Sequence, residues 1–235
     1  VEREATHRAI ALSELAGVPI LIVHVSGREA VEQIRWAHGH GLRIYAETCP
    51  QYLVFNAEDI PDGATQYKCA PPVREKVNND KLWQAIKDGI IDFIVTDHSP
   101  APPDLKELNS GNFKKAWGGI AGLQFSLPAI WTAAKNRGFT IQDMAQLMGS
   151  NIATFIGMDN RKGKIAVGYD ADITIWNPEE QFEVKQEIIH HKHKITPYEG
   201  MMFYGKVLKT FVTGNLVFDN GNFRELSKGE ILKSN

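Results

Sequence analysis

The stretch ILIVHVSGREAVEQIRWAHGHGLRIYAET, residues 20–48, decides the fold class. Its first seven residues are nearly all apolar, which predicts a short strand buried on both faces. Residues 28–38 then set Ala30, Val31, Ile34 and Ala37 along one side of a helix. Residues 42–47, LRIYAE, predict a second strand. Strand, helix and strand in so short a run call for parallel strands joined by a covering helix.

The same alternation extends both ways. Residues 1–16 carry Ala5, Ala9, Ile10, Leu12 and Leu15 at helical spacing, and Gly17 stops them. Residues 80–87 predict a helix closed by Gly89, and residues 90–96, IIDFIVT, a third buried strand. Residues 120–136 read as the next helix, and 141–156 as one or two more, with Ser150 or Asn151 as a cap. After Gly157 the pattern changes. GKIAVGYDADITIWNP and GKVLKTFVTGNLVFDNG alternate apolar and polar residues between glycines, which predicts short antiparallel strands and turns. The expected division is therefore an α/β domain over 1–157 and a small β unit over 158–235.

The bulk numbers limit function. A chain of 235 residues fits one large domain or one and a half smaller ones. A net charge of −2 gives no reason to expect nucleic acid or an anionic membrane as partner. No apolar run approaches the roughly 20 residues that span a bilayer. The opening VEREATHRA is charged and helical, unlike a signal peptide, and starts without methionine, so residues are expected upstream. Two cysteines, Cys49 and Cys69, make no disulfide framework and suit a reducing cytoplasm.

The polar residues of chemical interest follow the strands: His24 and Ser26, Glu47 and Thr48, Asp97 and His98. In parallel α/β architectures sites form at that end. His24 is either a strand-end histidine with a satisfied hydrogen bond or a metal ligand. Asp97 is either a turn cap or a metal ligand that also moves protons. KCAPPVR, residues 68–74, reads as a rigid loop. Gly118-Gly119 lets a ligand approach the backbone or merely marks a turn. His190, His191 and His193 read as a solvated loop, with no acidic or cysteine partner nearby in sequence.

Taken together, HVSGREAVEQI at His24, YAETCPQYL at Tyr45, KCAPPVRE at Lys68, TDHSP at Thr96 and KGKIAVGYDADITIWNP at Lys162 resemble the cyclic amidohydrolases. That family includes hydantoinases, dihydropyrimidinases, allantoinases and dihydroorotases. The motifs keep the family's order and cover nearly the whole chain. Within the family, DHSPAPPDLK (97–106), KKAWGGIAGLQ (114–124) and HKHKITPYEG (191–200) resemble the allantoinase branch, whereas ETCPQYL also suits hydantoinases.

The resemblance implies a TIM-like eight-stranded β/α barrel, of which this chain would hold strands six to eight, followed by part of a small β-sandwich. It implies two divalent metals, usually zinc, bridged by a carboxylated lysine and a hydroxide. By motif, His24 matches the second of the family's single histidine ligands, and Asp97 matches the aspartate ligand and proton carrier. Ala70, where relatives often have serine, matches a backbone contact to the substrate's ring amide, and Gly118 and Gly119 match the other. The family's His-x-His pair, first single histidine and bridging lysine have no counterpart here. His38-Gly39-His40 has the spacing but falls at a helix end. The resemblance thus implies a C-terminal portion of a longer hydrolase that opens a cyclic ureide, allantoin to allantoate, in purine breakdown. The isolated chain would be inactive, and the whole protein a homo-oligomer, commonly a tetramer. A dihydropyrimidinase or hydantoinase, or a non-catalytic relative serving assembly, are the other readings.

Overall fold

Two separate sheets carry the two sequence patterns. The computed structural model describes residues 1–224 and 231–232. Most of the tail of the expected 158–235 unit therefore lies outside the described residues.

The first sheet is parallel, in the order β1 (Ile20–Ile22), β2 (Ile44–Thr48), β3 (Phe93–Ile94). Helices α1 (Glu2–Ala16) and α2 (Arg28–Gly39) flank β1, and α4 (Lys76–Lys87) follows the short α3 (Pro50–Val54). The α1 end is the one expected: Gly17 takes a left-handed φ of 68°, returning its amide to the helix carbonyls. The α2 apolar stripe is also as read, with Ala30, Val31, Ile34 and Ala37 all buried. The helix α4 begins a turn earlier than the periodicity suggests, because the Glu58 carboxylate accepts the Lys76 amide at 3.0 Å.

Two strand expectations need correction. The apolar run at 20–26 is not buried on both faces: β1 is only half-buried, and Val23 is 45% exposed. Within the sheet it is an edge strand, paired with β2 alone. The run at 90–96 yields a strand of only two residues. Beside it the Asp92 carboxylate takes the Ala46 amide at 2.7 Å, so a side chain replaces a ladder bond.

The second sheet is antiparallel, in the order β4 (Ile173–Glu183), β5 (Met202–Val212), β6 (Asn215–Asp219), β7 (Asn222–Phe223). The two leading strands run 11 residues each, longer than expected. Before them come α5 (Ser126–Lys135), α6 (Ile141–Ala145) and α7 (Asn151–Phe155), the last two joined by a π turn. Ser150, the last residue of that turn, precedes α7 with helical dihedrals and makes no side-chain cap bond, and Asn151 is already the first residue of α7. Thr140 caps instead, in a reciprocal box with Asp143. In this unit Trp131 packs edge-on to Trp176 at 5.5 Å and donates to the Pro178 carbonyl at 2.8 Å.

Contacts group the chain into two compact units. One is Val1–Ser126 with His190–Glu199, and the other is Leu127–Ile189 with Gly200–Asn235. The segment His190–Glu199 therefore belongs with the parallel sheet: Thr196 donates to the Ala121 carbonyl at 2.8 Å, and Tyr198 stacks on Phe55 at 5.1 Å.

Candidate functional site

The candidate residues leave the strands through one backbone device. His24 and Asp97 both have φ 43°, the left-handed region that residues other than glycine seldom enter. Each lies just beyond an apolar run of the first sheet, where the chain must turn out of the ladder. His and Asp tolerate this conformation better than branched residues. Glu107, Thr213 and Asn220 enter the same region elsewhere, so what sets His24 and Asp97 apart is its use at the ends of neighbouring strand runs.

Bonds between neighbouring strand ends hold these turns. The Val25 amide donates to the Glu47 carbonyl at 2.8 Å, the Thr48 hydroxyl to the Val25 carbonyl at 2.7 Å, and the Val95 amide to the Thr48 carbonyl at 3.0 Å. His24, Glu47 and Asp97 thereby share one electrostatic neighbourhood. Burial pushes the Glu47 carboxyl above the usual range, a backbone hydrogen bond from His24 and its charge oppose this, and the Asp97 charge adds to the rise. Asp97 is exposed and His24 half-buried.

Sequence reading missed the next layer. The Glu2 carboxylate accepts the Ser26 amide at 2.8 Å, the Ser26 hydroxyl at 2.6 Å and the Gly27 amide at 3.0 Å. Arg74 donates to Ser26 Oγ at 2.9 Å and to Glu2 at 2.8 Å. The start of α1, the loop after His24 and the end of the KCAPPVR loop are thus tied at one knot. That gives Ser26 and Arg74 of the two quoted motifs a physical reason.

Ala70 is exposed and its peptide bond to Pro71 is cis. Gly118 faces it closely: a Cβ added at Gly118 would lie 3.4 Å from the Ala70 Cβ. A Cβ at Gly119 would lie 2.6 Å from the Ser99 Cβ and 2.8 Å from the Ser99 carbonyl oxygen, so only glycine fits. The Gly-Gly pair is therefore a close backbone approach rather than a simple turn.

The histidine cluster divides. The loop is solvated as expected at His190, Lys192 and Lys194, which are exposed, but the His191 ring nitrogens are buried and the ring meets His98 at 5.9 Å. His98 Nδ1 accepts the Leu123 amide at 3.2 Å, next to Asp97 in the chain. His38 and His40 bond the Ile44 and Trp36 carbonyls at the end of α2, as their position there suggested.

Burial pushes the Cys69 thiol up to about 11 and the Cys49 thiol higher still, so neither supplies a thiolate at neutral pH. Among the described residues, no group of three or more His, Cys, Asp or Glu side chains could hold a metal ion. His24 and Asp97 together offer two donor side chains, short of the three or four of a zinc site. The donors present fit a share of such a site and not the whole of it. No helix among the described residues is long and apolar enough to cross a membrane.

The profile of the Amidohydrolase family matches residues 14–217. The chain is 41% identical over 231 residues to an allantoinase of Streptomyces avermitilis, covering 98% of this chain and 51% of that protein. It is 44% identical over 208 residues to an allantoinase of Arabidopsis thaliana, covering 87% of this chain and 41% of that protein. Among solved structures, a D-hydantoinase from a Bacillus species superposes with a TM-score of 0.88 at 37% identity, covering 94% of this chain and 50% of that chain. An L-hydantoinase (dihydropyrimidinase) from Arthrobacter aurescens gives 0.89 at 32% identity, covering 95% and 50%. The chain thus spans about half the length of the relatives it matches.

Proposed function

We propose, from the premise that this chain belongs to the amidohydrolase family, that it is the C-terminal portion of an allantoinase, which hydrolyses the cyclic amide of allantoin to allantoate. Its fold resembles that of hydantoinases and dihydropyrimidinases. On this reading the parallel sheet is strands six to eight of a β/α barrel, and the antiparallel sheet is part of a β-sandwich, with the domain division near residue 158.

One observation carries the choice of substrate. The three stretches that resemble allantoinases gather in the unit of the candidate site. Lys106 of the first bonds the Trp117 carbonyl of the second at 3.2 Å. Thr196 of the third bonds the Ala121 carbonyl of the second, and His191 meets His98. Loops after parallel strands shape such sites, and the first two stretches follow the third strand run, with the third packed on them.

His24 and Asp97 would be ligands of a divalent metal pair, zinc by family habit, whose remaining ligands lie on residues outside this chain. Bound there, the metals would polarise the ring carbonyl and make water a stronger nucleophile at neutral pH. Asp97 would take a proton from the attacking water at its carboxylate and return it to the ring nitrogen as the C–N bond breaks. The backbone at Ala70 and at Gly118-Gly119 would hold the ring amide in line. A cytoplasmic homo-oligomer acting on a small ureide fits this assignment, and this chain alone would be inactive.

The test is a paired initial-rate assay of the full-length protein loaded with zinc, on allantoin and on dihydrouracil. Faster turnover of allantoin is expected. Faster turnover of dihydrouracil would move the protein to the dihydropyrimidinase branch.

A further inference from the structure

Lys106 is 3% exposed, yet it carries a charge and has no carboxylate partner among the described residues. Its Nζ donates to three backbone carbonyls: Lys68 at 3.0 Å, Trp117 at 3.2 Å and Gly119 at 2.8 Å. An ammonium has three donors and no acceptor, so three converging carbonyls satisfy it fully. A buried charge without a counter-ion is costly unless hydrogen bonds satisfy it, as these three do. Burial pushes this ammonium down to about 8, so it stays largely charged at neutral pH.

The three carbonyls lie on two segments distant in sequence. Lys68 precedes Cys69 and Ala70, whereas Trp117 and Gly119 bracket Gly118. A direct bond from the Gly119 amide to the Lys68 carbonyl at 3.1 Å runs alongside. The Trp117 carbonyl shares its peptide group with the Gly118 amide. A cation on that oxygen polarises the peptide and makes the amide a stronger donor.

We propose that Lys106 is a positioning residue: its ammonium clamps the Lys68 and Trp117–Gly119 carbonyls and so sets the spacing between the Ala70 and Gly118 backbones that receive the substrate's ring amide. The proposal rests on the assignment of those backbones to substrate binding. Lys106 itself touches no reacting atom.

The experiment compares Lys106→Met and Lys106→Arg with wild type in the full-length, zinc-loaded protein. Two readouts are taken, KM and kcat for allantoin and hydrogen exchange of peptides covering 68–74 and 114–122. Met keeps the aliphatic stem and removes the donors. Its KM should rise about tenfold or more, the loss of charge-assisted hydrogen bonds, with kcat changed much less. Exchange should quicken in those two peptides and not elsewhere. Arginine should recover part of the loss. Unchanged KM and exchange in the Met variant would overturn the proposal. So would faster exchange throughout both variants, which would make Lys106 a general packing residue. A wild type that ignores allantoin would sink the proposed substrate, while the exchange result would still decide the clamp.

Discussion

At the scale of single residues, placement beside apolar runs separates what could be read from what could not. His24 and Asp97 stand out in one dimension, because a histidine or carboxylate directly after a buried strand needs a reason. Their shared left-handed φ of 43° is a matter of three-dimensional course, and nothing in VHVS or TDHSP announces it. Glu2 and Lys106 were invisible for a different cause. Glu2 meets Arg74 across 72 positions, and Lys106 meets the Lys68 carbonyl across 38. A charged residue in a helical or loop pattern reads as solvated until the fold brings its partners.

Glu2 yields a pH prediction. Burial raises its carboxyl, but bonds from the Ser26 hydroxyl and amide, Arg74 and the Gly27 amide outweigh that, and the net shift is downward from 4.5. A depressed carboxyl contributes stability that is fully present above its unfolded value of 4.5 and is lost as pH falls through the lower folded value. Glu2→Gln should therefore destabilise the protein at pH 7, by about 1–3 kcal/mol, and flatten the loss of stability below pH 4.5. Urea melts across that range measure both. Identical melts for the two proteins at every pH would remove the knot from the account.

At the scale of elements, long periodic segments were legible and short ones were not. The helix α2 shows its buried stripe in sequence because four apolar residues fall on one face. The strands β1 and β3 are shorter than their apolar runs, since edge position and the Asp92 carboxylate end regular pairing early. The helix predicted over 120–136 starts late, after a 3-10 turn at Leu123–Phe125. The cap is Thr140, paired with Asp143 three residues on, a spacing the sequence carries.

The loop of the Gly-Gly pair gives the element-scale prediction. Gly119 is buried with Ser99 main chain in the way of any Cβ, whereas Gly118 borders Ala70 at ordinary contact distance. Gly119→Ala should lower the melting temperature, at a cost of about 1–3 kcal/mol from overpacking. Gly118→Ala should leave the melting temperature nearly unchanged and raise KM, because its methyl group enters the space beside Ala70. Thermal melts with steady-state kinetics check both. Equal effects of the two substitutions would contradict the distinction drawn between them.

At the scale of the molecule, the alternation of strand and helix followed by an antiparallel unit was readable from patterning alone. The return of His190–Glu199 to the first unit was not, because that segment has no periodicity of its own and is placed by Thr196, Tyr198 and His191. That return brings residues 191–200 against the other two stretches, through Thr196 on the Ala121 carbonyl and His191 beside His98. The chain spans about half the length of its Streptomyces relative, and among the described residues no group of three or more His, Cys, Asp or Glu side chains could hold a metal ion.

The central claim is that the end of the third strand run carries the proton for ring opening. The most direct measurement is kcat for allantoin in the full-length, zinc-loaded protein and its Asp97→Asn variant, with melting temperatures alongside. The account predicts a fall of at least ~100-fold with the fold retained. A variant that turns over at the wild-type rate would contradict it.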